Sequence, residues 1–441
     1  MLKNNRYTQH LLLLAPSILL ESTMTRVSRS HRLRILNQRD QEQVFVKTCG
    51  RILHGTSRSA YCLLFIGGSF CTPALLARTK PLPAKPDVIA YVFKRNDLIQ
   101  PGEIAAQKLT RINYAFALIQ GGQIVNGYAN DDQNLAALVA LKQKNPSLTV
   151  LISVGGWLGS GNFSDMALTK PSRSLFIESA VKFIDRHHLD GLDIDWEYPG
   201  QPGAGNRFRR EDRHSYTQLF KELRQRLHKE EKRLHRRLFL TCATGASSRF
   251  LANTEMGQVQ KYVDTVNLMA YDYYEPTDDA ITGNHAPLFA DPSDPKKISA
   301  DRSVHEFAQT GVPAAKIVLG VPFYGHLWGE VEDVDHGLFR PGKPVPNAFA
   351  HYGNIQATMI NQGFTRYWDP VAAVPYLYNS EGKIFVSYED PESLALKCKY
   401  VLDNRLRGMM FWDYAADPAG ALLDTIDSGL WKNSGTAAGT K

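Results

Sequence analysis

The chain has 441 residues, 43% of them hydrophobic and 22% charged, an ordinary globular balance that excludes a collagen-like, mucin-like or wholly disordered protein. It carries 51 Lys+Arg and 44 Asp+Glu, for a formal net charge of +7. Residues 1–85 hold 13 basic and 3 acidic side chains, leaving 51 − 13 = 38 basic and 44 − 3 = 41 acidic ones beyond, so the positive field lies outside the body and no nucleic-acid partner is expected.

Two apolar stretches open the chain, at 11–20 and 60–76. The first follows Lys3 and Arg6, and the second follows Lys47, Arg51 and Arg58, which is the layout of a secretory signal. The second ends near Ala74 or Ala77 and runs into a Pro-rich linker at 81–86. We expect residues 1–85 to be leader and linker, with the natural start near Val46, the first 45 residues an over-extended reading frame, and the product secreted to an extracellular or periplasmic space. Neither stretch reaches roughly 18 unbroken apolar residues, so no stable membrane span is expected. The five cysteines, Cys49, Cys62, Cys71, Cys242 and Cys398, show neither zinc-site spacing nor a disulfide framework. Cys242 sits in an apolar run and reads as a core residue.

From residue 86 onward, short β-branched apolar runs alternate with amphipathic stretches, the pattern of parallel βα units. Strands are predicted at 88–93, 111–118, 149–154, 191–196, 239–243, 265–271, 316–322 and 408–413, with helices such as 172–187 and 213–232 between them. No GxGxxG follows the first strand, so a dinucleotide cofactor has no support. Eight strands then favour an α/β (β/α)8 TIM barrel over 86–430, with chemistry at the C-terminal strand ends. The stretch 326–391 is too long for a plain loop. It contains strand candidates at 364–368, 374–378 and 383–388, and we expect a small α+β insertion between strand 7 and strand 8. Residues 431–441 are small and polar and are expected to form a disordered tail.

The most informative segment is 190–200, DGLDIDWEYPG. Side chains alternate along a strand, so Asp193, Asp195 and Glu197 share one face while Leu192, Ile194 and Trp196 share the other. The apolar set suits the helix layer, and the acidic set points into the barrel. Crowded carboxylates raise one another's pKa, as does burial, and the result is a general acid that keeps its proton near neutral pH. A solvated acidic face would not alternate with Leu, Ile and Trp. A divalent-metal site is the competing reading, although not an EF-hand, because Leu192 and Gln201 occupy loop positions that need oxygen ligands. Asp190 has the opposite parity and reads as structural.

These residues resemble a known family. The spacing of Asp190, Asp193, Asp195 and Glu197 is similar to the acidic signature of family-18 glycoside hydrolases, the chitinases. Ser153 with Gly155 and Gly156 resembles their Ser-x-Gly-Gly motif, and Met269, Tyr271 and Asp272 resemble their Met-x-Tyr-Asp motif. Segment 320–325 and residues Met410 to Trp412 resemble the motifs of barrel strands seven and eight, while 367–369, 375–378 and 387–393 resemble the chitinase insertion domain. The likeness covers 87–430 and departs from the family at His326, usually Arg, and at Asp413, often Glu.

The resemblance implies a secreted chitinase that cleaves β-1,4 bonds between N-acetylglucosamine units with retention, the substrate's own acetamido group acting as nucleophile. It implies Glu197 as acid, Asp195 as partner of the acetamido N–H, and Asp193 as the residue sharing a proton with Asp195. Tyr271 would orient the acetamido carbonyl and Asp272 would contact the distorted sugar. Tyr91 and Ser153 would hold the aspartates from below, and Tyr324 joins the substrate-binding set. Trp412, at a strand's C-terminal end, suits a stacking floor for the sugar. Trp157 suits a platform on the leaving-group side. Chitin or chito-oligosaccharides are the implied partners, with no cofactor, no metal and a monomeric state. The alternatives are a hydrolase of peptidoglycan or of the N-glycan chitobiose core, a chitin-binding lectin on an inactive barrel, and a metal-dependent phosphodiesterase. The last is disfavoured because no His cluster is visible near the carboxylates in sequence.

Overall fold

The computed structural model describes residues 85–432. The expected leader and most of the expected tail lie outside the described residues. Eight parallel strands form a closed barrel: β1 (Asp87–Phe93), β2 (Arg111–Gln120), β4 (Thr149–Gly155), β5 (Gly191–Asp195), β6 (Phe239–Gly245), β7 (Thr265–Met269), β8 (Ile317–Pro322) and β14 (Gly408–Trp412). Pairing of β1 with both β14 and β2 closes the ring, and β3 (Gln123–Val125) extends β2 as a hairpin. The expected TIM barrel is therefore present, with every predicted barrel strand in place to within a residue or two.

Between β8 and β14 the chain builds a five-stranded antiparallel sheet, ordered β10-β9-β13-β12-β11. Its strands are β9 (Tyr324–Gly329), β10 (Lys343–His351), β11 (Thr365–Asp369), β12 (Val374–Asn379) and β13 (Ile384–Ser387). Strands β9 and β10 had no counterpart in the sequence reading. The C-terminal boundary also needs correction. Residues 428–432 form a helical turn, Trp431 Nε1 donates to the Pro86 carbonyl at 2.9 Å, and Lys85 Nζ lies 3.2 Å from the centre of the Trp431 ring. Residue 431 and residue 85 thus tie the two ends of the body together rather than belonging to a loose tail and linker.

The main core lies between the barrel and its helices. Leu192, Ile194 and Trp196 belong to it, and Trp196 stacks on Phe163 at 5.1 Å between ring centres. The helix Lys170–Arg186 starts at a capping box made by Thr169 and Ser172 with Pro171 in its first turn, which satisfies amide groups that would otherwise be orphaned. A second, smaller cluster fills the barrel interior with Ile89, Tyr91, Ala115, Val318 and Met410, bordered by Phe93, Phe116, Tyr271 and Trp412. Cys242 is buried, as expected of a core residue. Asp190 pairs with Lys142 at 2.6 Å and Arg236 at 3.2 Å and accepts the Val150 N–H at 2.8 Å, a structural role that fits its opposite parity.

Candidate active site

Strand β5 delivers Asp193 and Asp195 to the barrel interior, and Glu197 follows at its C-terminal end. Asp193 is fully buried. It accepts hydrogen bonds from Tyr91 Oη at 2.9 Å, Ser153 Oγ at 2.8 Å, Asn267 Nδ2 at 3.3 Å and the Thr241 hydroxyl. Burial raises its pKa, and the donors from Thr241, Ser153 and Tyr91 work against that rise. Tyr91 and Ser153, expected among the substrate-binding residues, are 2% and 0% exposed and are committed to Asp193. They act as its supports, and neither shows a hydrogen bond to Asp195.

Asp195 is buried, and its Oδ1 has no hydrogen-bond partner among the described residues. Burial, followed by the charges of Glu197 and Asp193, pushes its pKa well above the usual carboxylate range. Glu197 is half-buried, and its pKa is pushed up to about 8, chiefly by burial, with Asp272 and Glu275 adding to the rise and Tyr198 opposing it. The backbone around this pair is fixed by a residue the sequence reading missed. Ser160 Oγ accepts the Glu197 N–H at 2.9 Å and lies 2.8 Å from the Gly156 carbonyl and 3.1 Å from that of Asp195. Gly155, at φ +112°, passes so near that a Cβ would sit 2.1 Å from the Asp195 carbonyl oxygen, which accounts for glycine at that position.

Across the mouth, Asp272 follows β7 in the left-handed region, at φ +56°. Its Oδ1 accepts from Tyr324 Oη at 2.6 Å and His326 Nε2 at 2.8 Å, with His285 Nδ1 at 3.6 Å. Burial opposes its charge, yet the two histidines hold its pKa well below the usual carboxylate range. His285 itself is pushed down to about 4 by burial. Tyr324 is only 4% exposed, stacks on Phe349 at 4.4 Å, and spends its hydroxyl on Asp272, so it positions that carboxylate rather than lining the open cleft. His326, where the resembled family usually has Arg, does the same. The sequence shows no His cluster beside Asp193, Asp195 and Glu197, and the histidine pair forms instead at Asp272, where β9 and the loop after β7 bring His326 and His285 together only in three dimensions. Tyr271 is half-buried beside Tyr324, with its pKa raised well above normal by burial and then by Asp272, Asp195 and Glu197, so it stays a hydrogen-bond donor. Glu275 is pushed up to about 7 by burial and the Asp272 charge.

Trp412 ends β14, stacked on Phe116 at 5.4 Å and tilted against Phe93 and Tyr91 at 5.5 and 6.0 Å. It remains half-exposed towards the mouth. Trp157 is 50% exposed and touches Tyr198 edge-on at 6.3 Å. Asp413, the other departure, is buried, and burial raises its pKa.

These groups gather at the C-terminal ends of the parallel strands, where (β/α)8 barrels carry their chemistry. The chain belongs to the glycosyl hydrolases family 18, whose model matches residues 87–417. It is 38% identical over 313 residues to chitinase A1 of Niallia circulans, covering 67% of this chain and 44% of that protein. It is 30% identical to mouse chitotriosidase-1, covering 71% of this chain and 68% of that one. The chain spans 58% of a probable chitinase 2 from Drosophila melanogaster, at 33% identity. Among solved structures, a family-18 N-acetylglucosaminidase from Paenibacillus barengoltzii superposes with a TM-score of 0.72 at 38% identity, covering 78% of this chain and 99% of that one. Among the described residues no helix is long and apolar enough to cross a membrane.

Proposed function

We propose that this chain is a secreted chitinase that hydrolyses β-1,4 bonds between N-acetylglucosamine units by a retaining, substrate-assisted mechanism. The observation that carries this reading is the pairing of Glu197, protonated at neutral pH, with Asp195, whose buried Oδ1 lacks a partner. An unpaired buried acceptor is costly. A substrate acetamido N–H supplies its missing hydrogen bond and, in doing so, turns the acetamido carbonyl towards the sugar's own anomeric carbon. Glu197 then gives its proton to the glycosidic oxygen as the C–O bond breaks and the carbonyl oxygen bonds to that carbon. The resulting oxazolinium ion is stabilised by Asp195. Water adds to the anomeric carbon as Glu197 takes its proton back, and the β configuration is retained. Tyr271, held protonated, donates to the acetamido carbonyl, and Trp412 offers a face for the sugar's C–H surface. Asp272 contacts the distorted sugar, and Trp157 serves the leaving-group side.

The test is the anomer of the first product and its dependence on acetylation. Proton NMR of early product from N-acetylglucosamine oligomers should show the β-anomer, and oligomers deacetylated at the cleaved sugar should be nearly inert. Early α-anomer, or comparable cleavage of both substrates, refutes the mechanism even with Glu197 essential. A second reading, release of single N-acetylglucosamine units, is favoured by the likeness to the Paenibacillus enzyme, 99% of whose chain is covered by 78% of this one. Early products from a hexamer separate the two: monomer alone supports the second, and dimers and trimers support the first.

A further inference from the structure

Asp272, His285 and His326 come from three separate segments, and one ligand atom from each lies within 4.8 Å of the others. His326 Nε2 and His285 Nδ1 face the same carboxylate oxygen, at 2.8 and 3.6 Å. His285 is 0% exposed, yet neither of its ring nitrogens has a hydrogen-bond partner among the described residues. Burying polar nitrogen without a partner is unfavourable, so the ring invites a ligand.

The loop that carries His285 is pinned on several sides. Its N–H donates to Ser387 Oγ at 2.9 Å and its carbonyl accepts the Tyr273 N–H at 3.1 Å. On either side, Asn284 Nδ2 donates to Asp369 at 2.8 Å and Lys397 Nζ donates to the Ala286 carbonyl at 2.6 Å. His326 lies on β9, inside a paired sheet. The two imidazoles are therefore held in place rather than brought together by chance rotation of exposed side chains.

We propose that Asp272, His285 and His326 form a binding site for a divalent transition-metal ion of the zinc, nickel or copper kind, and that the bound ion inhibits hydrolysis. Two imidazoles and one carboxylate are the donor set such ions favour, whereas magnesium and calcium favour oxygen alone. A tetrahedral zinc ion about 2 Å from each ligand needs them ~3.3 Å apart, so the 2.8 Å His326–Asp272 spacing opens slightly and the 3.6 Å His285–Asp272 spacing closes slightly. Ligation by His326 releases the proton that its Nε2 shares with Asp272. The inhibitory half rests on the reading of Asp272 as a sugar contact, because the ion takes the carboxylate away from the substrate. The chemistry of Glu197 has no use for the ion, so it acts as an inhibitor rather than a cofactor.

The binding half is tested without substrate. The full chain, purified without a histidine tag, is titrated calorimetrically with zinc chloride and, in parallel, with cobalt chloride followed by visible absorption, with magnesium chloride as control. One equivalent of zinc should bind in the micromolar range, and cobalt should show the intense bands of a tetrahedral site. His326→Gln keeps a donor for Asp272 but loses the imidazole, and Asp272→Asn removes the charge. Each should weaken zinc binding by ~10-fold or more while circular dichroism stays native. Absence of stoichiometric zinc binding below millimolar concentration, or equal affinity in wild type and both folded variants, overturns the site. Zinc saturation should lower oligosaccharide cleavage by the wild type, with recovery on chelation. Undiminished cleavage at saturation overturns the inhibitory half, and if no oligosaccharide is cleaved at all, calorimetry still decides the site.

Discussion

The alkaline limb of the pH–rate profile is where the geometry makes its most quantitative statement. A general acid works only while protonated, and Glu197 is pushed up to about 8 from an ordinary value of 4.5. By the titration relation, about 10/11 of it is protonated at pH 7 and about 1/11 at pH 9, a tenfold fall in available acid. At its ordinary value the same residue would be only ~0.3% protonated at pH 7, so burial multiplies the competent fraction by roughly 300. The charge of Glu197 in turn raises the proton affinity of its neighbour Asp195, so the limb is read as the titration of this site rather than of an isolated carboxyl. The assay is kcat/KM on an unmodified N-acetylglucosamine oligomer between pH 5 and pH 10, read by product separation; an activated aryl leaving group would lessen the need for the acid and flatten the limb. Asp272→Asn removes a charge that raises Glu197, so it should move the limb to lower pH. A rate that stays level to pH 10, or that falls with a midpoint near the ordinary glutamate value, would refute the assignment of Glu197 or the reason given for its proton affinity.

Three variants test the same contacts. Glu197→Gln should cost ~10²–10⁴-fold in kcat while substrate binding persists, and a variant with more than half of wild-type activity removes Glu197 from the acid role. The same change should raise the melting temperature at pH 9. A carboxyl whose folded pKa is raised keeps a proton that the unfolded chain has lost, so wild-type stability falls between the ordinary 4.5 and about 8, and the difference should vanish near pH 4. Trp412→Ala should raise KM and lower kcat together, and unchanged values for both would confine Trp412 to packing with Phe116 and Phe93. Ser160→Ala leaves the Glu197 N–H without its acceptor, which predicts a loss of ~1–3 kcal/mol in denaturant unfolding and a larger fall in kcat than in substrate affinity; native stability and rate would show that water or another group replaces the hydroxyl.

By itself the sequence determined the barrel and the face its acids occupy. The reason is local: a strand repeats every two residues, so the order of residues 192–197 already separates Asp193, Asp195 and Glu197 from Leu192, Ile194 and Trp196. The β-branched runs place the other strands in the same way. Strand β10 was illegible because Pro344 and Pro346 deny amide donors, which suits the edge position it takes in the second sheet. What only the tertiary structure decided is which side chains meet. Thr241 and Asn267 reach Asp193 because β6 pairs with β5, and β7 with β6, in a particular register, and register between parallel strands is set by packing across the whole barrel. Tyr324 turns from the cleft to Asp272 because its ring is claimed by Phe349. His285 and His326 converge on Asp272 from segments with no shared period. Their meeting, like the proton affinity of Glu197, arises from burial and long-range closure, neither of which any stretch of sequence encodes alone.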